Sequence, residues 1–528
     1  MNERDLFDAI TDVPDDLVEE ARTAPVKQAT RWVQWVALTA CAAVVATLVW
    51  VLYPHDEELP VVPYTTATTA TSVKTTTTTT QTAKKKSTTK KKSSQSTAST
   101  TTTKTTTSIV CVFPHIPNEL VSHTHSLEPI VKVTDPKGIA FNDTAALEKI
   151  KADNPLRDDF QEAVNDFSYG VSHRLIQRTV GNKVYSPYSL YYTYASLQNG
   201  AVGATRSALG SMLGNSTMGG FFEQCRRLYQ RSYCQNEVGQ FRMANSFWIN
   251  CDYPLRERFV EDNAQYFYSS TYSVDFTKED TGNAMRQWLS NNSGDPLTST
   301  LNPSKDSSMI VLGTANFSDQ WETGFDPNNT VKDRFTMGEI DYELDFMTQT
   351  VKNATYTRGE NYTRSSLKLK NGSEMIFVLP DEGLWPNNLV SESLSAKDIL
   401  GDTDTAKGTV HWKIPKFKIT TQDDLKDVLK SAYLYEKIVE EADYSRISDD
   451  PPRISNSIHE VSISIGEAGV NTKAAPPADL SGSESTPSKH DVYMTLNHPF
   501  IFAIRSPEGN LLYVGVYEDA REDGRKLR

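Results

Sequence analysis

The chain has 528 residues, of which 38% are hydrophobic and 10% aromatic, so it can bury a large core. Its formal net charge of −13 is unevenly distributed: residues 1–58 hold 11 acidic and 4 basic residues, whereas residues 59–118 hold 8 lysines and no acid. The rest of the chain is acidic and has no basic stripe, which argues against nucleic acid as a partner.

The first predicted element is a transmembrane helix at residues 32–53, WVQWVALTACAAVVATLVWVLY. About 20 apolar residues suffice to cross a bilayer. Arg22, Lys27 and Arg31 precede the segment and acidic residues follow it, which places residues 1–31 in the cytoplasm. A cleaved signal peptide fits less well, because the polar leader is long and no small-x-small cleavage site follows. We therefore expect a single-pass cell-membrane protein with its main domain outside the cell.

Residues 54–125 are predicted to be a disordered stalk. From Thr65 to Thr107 the chain is almost entirely Thr, Ser and Lys, and such a segment cannot bury enough apolar surface to fold. A spacer is the first interpretation, and lysine contacts to anionic wall or lipid polymers are the second. A stalk of this kind on a surface protein suggests a bacterial cell envelope.

A lead-in segment, residues 126–157, separates the stalk from the first helix of the main domain. Phe160, Val164 and Phe167 recur at helical spacing, and two aspartates precede them in the first turn. This pattern predicts an amphipathic core helix with no chemistry of its own.

Motifs for catalysis and metal binding are weak in this chain. Ser365 and Lys368 fit the Ser-x-x-Lys pattern of penicillin-binding enzymes, but the companion motifs are absent. His123 and His125 have no carboxylate or thiol at ligand spacing, so we expect no metal and no cofactor. We do not expect an enzyme. Four cysteines would lie outside the cell, where disulfides are permitted, and their pairing stays open: Cys111, Cys225, Cys234 and Cys251.

The most informative segment is residues 454–517, which consists of a strand, a long loop and further strands. Val461, Ile463 and Ile465 alternate with small or polar residues, as in a half-buried strand. In the loop that follows, every second residue is again small or apolar: Val470, Thr472, Ala474, Pro476, Ala478 and Leu480. A permanent loop has no need of this alternation. It predicts a loop that later becomes a strand with one face on a core.

This segment resembles the reactive-centre loop and C-terminal signature of the serpin family. Gly466-Glu467-Ala468-Gly469 resembles the hinge before the loop, and the signature is carried by Asn497, His498, Pro499 and Phe500. Further matches follow in family order: Val184–Gly214, Ala244–Phe259, Ser273–Phe276, Trp321–Pro327, Phe377–Pro380 and Ile414–Phe417.

The resemblance implies an α+β serpin fold with three β-sheets surrounded by eight or nine helices. It places the serpin domain at residues 158–521, the exposed reactive-centre loop at about 467–493 and a polar tail at 522–528. It also implies a monomeric suicide-substrate inhibitor of a serine or cysteine protease. The alternative is a non-inhibitory serpin-fold module that binds partners or has a structural role at the cell surface. A Ser-x-x-Lys enzyme is a distant third.

Two counts along the loop place the reactive bond differently. The usual hinge length from Glu467 gives Ser483-Glu484, whereas counting back from Pro499 gives Ser488-Lys489. We prefer the first, because the alternation ends at Leu480. A small residue before the bond suits proteases with small or elastase-like pockets.

The resemblance assigns hinge roles to Glu467, Gly469, Val470, Thr472 and Ala474. Val470 is expected to be exposed before cleavage and buried after it, so that arginine at this position should block insertion and leave the starting fold untouched. Four residues argue against inhibition because inhibitors favour small residues here and each proline removes a ladder donor: Thr472, Lys473, Pro476 and Pro477.

The resemblance also assigns a buried polar network, the shutter, to four residues where the central strands part: Ser186, Ser189, Asn245 and His459. Such a network must be satisfied both before and after insertion, or it penalises one of the two states. The chain departs from the family at Gly313-Thr314, where Asn-Ala is usual. We expect this departure to affect the hydrogen bonding at the top of the main sheet.

Overall fold

The computed structural model describes residues 118–215, 220–295, 301–391, 393–401, 405–432, 434–472 and 491–527. The predicted span at 32–53, the stalk up to residue 117 and the loop residues 473–490 lie outside the described residues. Among the described residues, no helix is both long enough and apolar enough to cross a membrane.

The described chain contains ten α-helices, one before the predicted serpin domain and nine within it. They are α1 (Thr144–Asp153), α2 (Asp158–Arg178), α3 (Pro187–Gly200), α4 (Gly203–Met212), α5 (Phe221–Ser232), α6 (Glu257–Phe267), α7 (Glu279–Ser293), α8 (Pro386–Leu389), α9 (Ala396–Leu400) and α10 (Leu425–Ser431). A 3-10 helix spans Pro327–Asn329 and a π-helical turn spans Glu436–Glu440.

Nineteen strands were found in the same residues. They are β1 (Leu120–Val121), β2 (Lys183–Tyr185), β3 (Cys234–Gln235), β4 (Gln240–Asn250), β5 (Leu255–Arg256), β6 (Ser269–Val274), β7 (Met309–Gln320), β8 (Val331–Met337), β9 (Ile340–Arg358), β10 (Tyr362–Lys368), β11 (Glu374–Pro380), β12 (Ala406–Pro415), β13 (Phe417–Asp424), β14 (Ile454–Gly466), β15 (Gly469–Val470), β16 (Asp491–Thr495), β17 (Phe500–Arg505), β18 (Leu511–Tyr517) and β19 (Arg525–Lys526).

The main sheet has the order β13-β14-β15-β7-β4-β3, and β6 pairs with the outer side of β4. The central strands β14 and β7 run parallel and pair from Ile454 and Met309 as far as Val461 and Ala315. Beyond that point they separate, and the short strand β15 lies between them. The main sheet is therefore closed where β14 pairs with β7, from Ile454 to Val461, which we call its lower part. It is open beyond Val461, in its upper part.

Helix α3 packs behind this sheet and is buried along its whole length. Ser186 caps it by accepting a hydrogen bond from the Ser189 amide, and Pro187 occupies the first turn, where its missing N–H costs nothing. Tyrosines dominate the helix, and their hydroxyls reach backbone carbonyls: Tyr191 bonds Leu213 and Tyr194 bonds Leu425.

The second large sheet has ten strands, with β16-β12-β9-β10-β11-β17-β18-β2 as its main path. The 19-residue strand β9 links its parts by pairing with β8, β10, β12 and β19. Among the described residues, the third sheet consists of β1 and β5.

The segment before α2 lies along the edge of the main sheet. Residues 118–125, which composition assigned to the stalk, include β1, which pairs with β5. The amides of Ser126 and Ile130 donate to the carbonyls of Ser273 and Thr271 in β6, each at 2.8 Å. The ordered body therefore includes Asn118 and the residues after it.

Candidate functional site

The hinge begins where β14 ends at Gly466 and the chain turns through Glu467 and Ala468. The Glu467 carboxylate lies 3.1 Å from Lys416 Nζ and accepts a 2.9 Å hydrogen bond from Thr330 Oγ1. Burial alone would raise the pKa of Glu467, but its backbone N–H, Lys416 and Thr330 together lower it. The turn is therefore fixed by a charged side chain that stays ionised.

Trp321, at the end of β7, holds the other side of the turn. Its amide donates to the Ala468 carbonyl at 3.1 Å, and its indole Nε1 donates to the Gly466 carbonyl at 2.9 Å. The Phe325 amide donates to the backbone carbonyl of Glu467 at 3.0 Å. These bonds direct the chain back between β14 and β7.

The first two loop residues already form part of the main sheet. In β15, Val470 pairs with Ile465 of β14 on one side and with Asp319 of β7 on the other. Its side chain is 0% exposed, so the expectation that Val470 is exposed before cleavage was wrong. The physical reason is the separation of β14 and β7, which leaves their facing backbone groups to be paired by the hinge.

Gly469 makes this entry possible. Its φ is +153°, and a Cβ placed on it would lie 2.1 Å from the Asp319 carbonyl oxygen. A side chain at this position would collide with the backbone of β7. The backbone approach therefore requires glycine.

Asn471, the residue after β15, bridges β14 and β7 with its side chain. Its backbone N–H donates to the Ser464 carbonyl at 2.8 Å, and its side-chain Oδ1 accepts from the Ser464 backbone N–H at 2.6 Å. Its Nδ2 donates to the Phe317 carbonyl at 2.8 Å. The side chain thus replaces the ladder bonds of a missing strand. The sequence alone indicated only an outward polar residue, although asparagine readily takes the left-handed φ of +49° found here.

The remaining hinge and reactive-bond residues fall at or beyond the limit of the described chain. Thr472 is half-buried and is the last described residue before the gap. Ala474 and both candidate bonds lie outside the described residues: Ser483-Glu484 and Ser488-Lys489.

Asp319 is the titratable group opposite Val470 and is 1% exposed. It accepts hydrogen bonds from the Asn371 amide, from Asn371 Nδ2 and from the Gln320 amide, at 3.0, 3.1 and 2.8 Å. Burial outweighs these bonds and raises the pKa of Asp319 to about 6. A partly protonated carboxyl therefore borders the hinge near neutral pH.

The four predicted shutter residues come together in the middle of the main sheet. Asn245 and His459 both pair with Gly313 of β7, from opposite sides. Ser189 Oγ donates to the Thr314 carbonyl at 3.0 Å, and Ser186 caps the same helix. The Gly313-Thr314 departure therefore lies at the shutter, and the expectation that it affects the top of the sheet was wrong.

The space beside Gly313 is occupied from the helix side. Thr193 Oγ1 lies 2.7 Å from Asn245 Oδ1, and a Cβ on Gly313 would lie 2.5 Å from that hydroxyl. Within the described residues, Asn245 Nδ2 and His459 Nε2 are buried without a hydrogen-bond partner. Complete burial lowers the pKa of His459 to about 3, so the imidazole is neutral.

The C-terminal signature connects strands of the second sheet. His498 Nε2 lies 2.9 Å from the Pro380 carbonyl oxygen, and its Nδ1 lies 3.0 Å from Asn497 Oδ1. The Asn497 carbonyl accepts from the Thr336 amide at 2.8 Å. Pro499 and Phe500 are buried. These contacts give the signature a structural role.

Ser365 and Lys368 do not form a nucleophile pair. They are three residues apart on β10, so their side chains leave opposite faces of the strand. Ser365 Oγ donates to the Thr355 carbonyl, and Lys368 is ion-paired with Glu374 at 2.9 Å. Among the cysteines in the described residues, Cys225, Cys234 and Cys251 are free thiols.

The main sheet has an open end, a hinge that enters it and a polar shutter below, which together define a class of α+β fold. Residues 162–520 match the sequence model of the family described as Serpin (serine protease inhibitor). The chain therefore belongs to the serpin family, whose members are in general inhibitors of serine proteases and not catalytic enzymes.

Similar proteins come from distant organisms. An uncharacterized serpin-like protein of Methanosarcina acetivorans is 26% identical over 72% of this chain and 93% of its own length. Serpin-Z4 of Hordeum vulgare is 27% identical over 64% of this chain and 90% of its own length.

Solved structures show the same fold. Native tengpin, a thermophilic serpin, gives a TM-score of 0.61 at 20% identity and matches over 74% of this chain and 99% of its own. Serpin48 of the insect Tenebrio molitor gives a TM-score of 0.60 at 23% identity and matches over 68% of this chain and 97% of its own. Those solved chains are matched over almost their whole length, which shows the fold of the part of this chain that the structure describes.

Proposed function

We propose that the protein inhibits a serine or cysteine endopeptidase as a suicide substrate. The protease nucleophile attacks the carbonyl carbon of Ser483, and the Ser483-Glu484 peptide bond breaks with release of the Glu484 amine. The acyl-enzyme is then carried away as the freed strand enters the main sheet. Insertion must be faster than attack of water on the acyl bond.

The observation that carries this proposal is the partly inserted hinge. Val470 already pairs with both Ile465 and Asp319, so the two strands that must separate have done so at one end. Below it they are still paired, from Ile454 and Met309 to Val461 and Ala315. Insertion from this state replaces one strand pairing by two and needs no new nucleation.

The register of β15 supports the first of the two reactive bonds. If the loop continues in the observed register, Thr472 would face Phe317 and Ile463, and Leu480 would face Met309, the first residue of β7. The inserted strand would therefore end at the residue where the alternation ends. Ser483 would follow three residues later, free to hold an acyl group at the far end of the sheet.

The test is incubation of the full chain with a panel of serine and cysteine proteases, followed by denaturing gel electrophoresis. An inhibitor gives a covalent complex at the summed mass, and mass spectrometry of its trypsin-digested loop locates the acyl residue at Ser483. Clean cleavage without any complex would contradict the proposal and favour the non-inhibitory module.

The non-inhibitory alternative rests on the prolines of the loop. In the continued register, Pro476 would lie between Gly313 and His459, at the shutter. Pro476 and Pro477 would face opposite neighbours, so each adjoining strand would lose one ladder bond. If insertion is too slow for this reason, the serpin body would act as a surface binding or structural module.

We further propose that residues 32–53 anchor the protein in a cell membrane with the serpin body outside. The length and apolar character of the segment and the basic residues before it support this topology. The protein should fractionate with membranes, and digestion of the Thr/Lys stalk should release the body intact. Recovery of a soluble, N-terminally processed chain from the native host would contradict the anchor.

A further inference from the structure

A cavity of about 320 Å³ lies between the lead-in helix α1 and the serpin body. This volume is within the range of small-molecule sites in proteins. Its walls include five apolar side chains that belong to the buried core of the body: Tyr188, Leu228, Phe241, Phe317 and Leu512.

Helix α1 covers the cavity but buries none of its own residues. Leu147 and Ile150 line the cavity, and Leu147 remains 45% exposed. A helix of ten residues gains little stability without a packed apolar face. An apolar occupant would give α1 the partner that its apolar side lacks.

Arg231, in the last turn of α5, supplies a cation that has no ion-pair partner among the described residues. Its Nε is buried and has no hydrogen-bond acceptor among the described residues, and no carboxylate of those residues lies within ion-pair distance. The two lysines at the cavity both have polar partners. Lys151 lies 3.6 Å from Glu148 and 3.8 Å from Glu508, and Lys370 donates to Gln320 at 2.7 Å.

We propose that this cavity binds an amphipathic organic anion: an apolar chain or ring system with one carboxylate or sulfonate head. The apolar body packs between α1 and the core side chains, and the head accepts hydrogen bonds from the Arg231 guanidinium. A buried, unpaired guanidinium N–H is costly, and a charged acceptor removes that cost. The site is independent of the proposed inhibition, so either can fail alone.

The test uses the full chain and the fluorescent probe 8-anilinonaphthalene-1-sulfonate. We expect one saturable site per chain, displaced by decanoate. Arg231→Gln should weaken decanoate binding about tenfold and leave the affinity for decan-1-ol unchanged, since the alcohol has no charge. The matched control is Arg226→Gln on the same helix, because Arg226 is paired with Glu223 and does not line the cavity. This control should bind decanoate like the wild type.

A second variant tests the location independently of charge. Ile150→Trp fills the cavity from α1, where no residue is buried, so the fold is expected to tolerate it. Binding of both decanoate and decan-1-ol should be lost. The proposal is overturned if the wild type shows no saturable site, if Arg231→Gln binds decanoate as tightly as the wild type, or if Ile150→Trp retains the probe.

Discussion

Val470 lies between β14 and β7 in the resting structure, so the loop has already entered the main sheet at this residue. Because it is fully buried in the resting structure, a charge at this position penalises the resting hinge as well as the inserted strand. Thr472 is the first inward residue that is still half-buried. We therefore expect an arginine at Thr472, and not at Val470, to impair insertion without affecting the resting structure.

Comparing Val470→Arg with Thr472→Arg tests this assignment. Val470→Arg should lower the melting temperature of the intact protein, because either a guanidinium is buried or β15 leaves the sheet, at a cost of about 2–4 kcal/mol. Thr472→Arg should leave it within about 1 °C. Both should lower the ratio of covalent complex to cleaved product. Equal melting temperatures for the two variants would show that the hinge is outside the sheet at rest.

His459 makes the resting fold sensitive to acid. Its pKa is lowered to about 3 by burial, whereas the unfolded chain has the ordinary value near 6.5. The unfolded state therefore binds the proton first. The contribution of His459 to the free energy of unfolding falls as the pH drops from about 6.5 towards 3, by up to about 1.4 kcal/mol per pH unit.

His459→Asn should remove this contribution. Chemical denaturation at several pH values should show a smaller loss of unfolding free energy between pH 6.5 and 4.5 in the variant than in the wild type. Above pH 7 the two curves should run parallel, because the imidazole is neutral in both states there. Parallel curves at acidic pH as well would mean that His459 is solvated.

At the scale of elements, β15 and Asn471 together act as a short substitute for a missing strand. Asn471→Gly keeps the left-handed backbone and removes the side-chain bonds to Ser464 and Phe317. The intact protein should lose about 1–3 kcal/mol of unfolding free energy. The loop-cleaved form should lose much less, since an inserted strand pairs through its backbone. A matching loss in both forms would assign Asn471 a role beyond the resting hinge.

We expect the two loop prolines to slow insertion. Replacing Pro476 and Pro477 by alanine gives the inserted strand one N–H donor towards each adjoining strand, and each bond is worth about 1 kcal/mol. The ratio of covalent complex to cleaved product should rise severalfold. The control is Pro499→Ala in the signature, which restores no donor to the inserted strand and should leave the ratio unchanged. No rise in the double variant would show that these prolines do not limit insertion.

The alternation from Val470 to Leu480 predicted an inward side chain at Val470, which is buried, because the period of two is a local property. For the residues after Thr472 it stays a prediction. It could not predict that β15 has already entered, since that depends on how far β14 and β7 separate. The docking of the lead-in segment on β6 could not be predicted for a similar reason. Its contacts to Ser273 and Thr271 use backbone groups, and these leave no pattern in the side chains.

At the scale of the whole molecule, the main sheet combines a closed part with a part that a loop segment has entered. The lower part of the main sheet holds β14 against β7, the upper part holds β15, and the shutter between them leaves Asn245 Nδ2 and His459 Nε2 unpaired within the described residues. The open upper part and the unpaired shutter atoms favour a further strand between β14 and β7, whereas the closed pairing below opposes it. Under the proposed mechanism, cutting the chain lets the strand enter.

Cleavage between residues 481 and 489 should therefore raise the melting temperature by on the order of 10 °C or more. The nine residues 472–480 would gain ladder bonds on both sides, each worth about 1 kcal/mol net. Calorimetry of cleaved and intact protein measures the difference. Cleaved Thr472→Arg is the control, because it has the same cut and cannot insert, and it should melt like the intact protein. If cleaved wild type also melts like the intact protein, the strand does not enter the sheet and the body serves as a binding module.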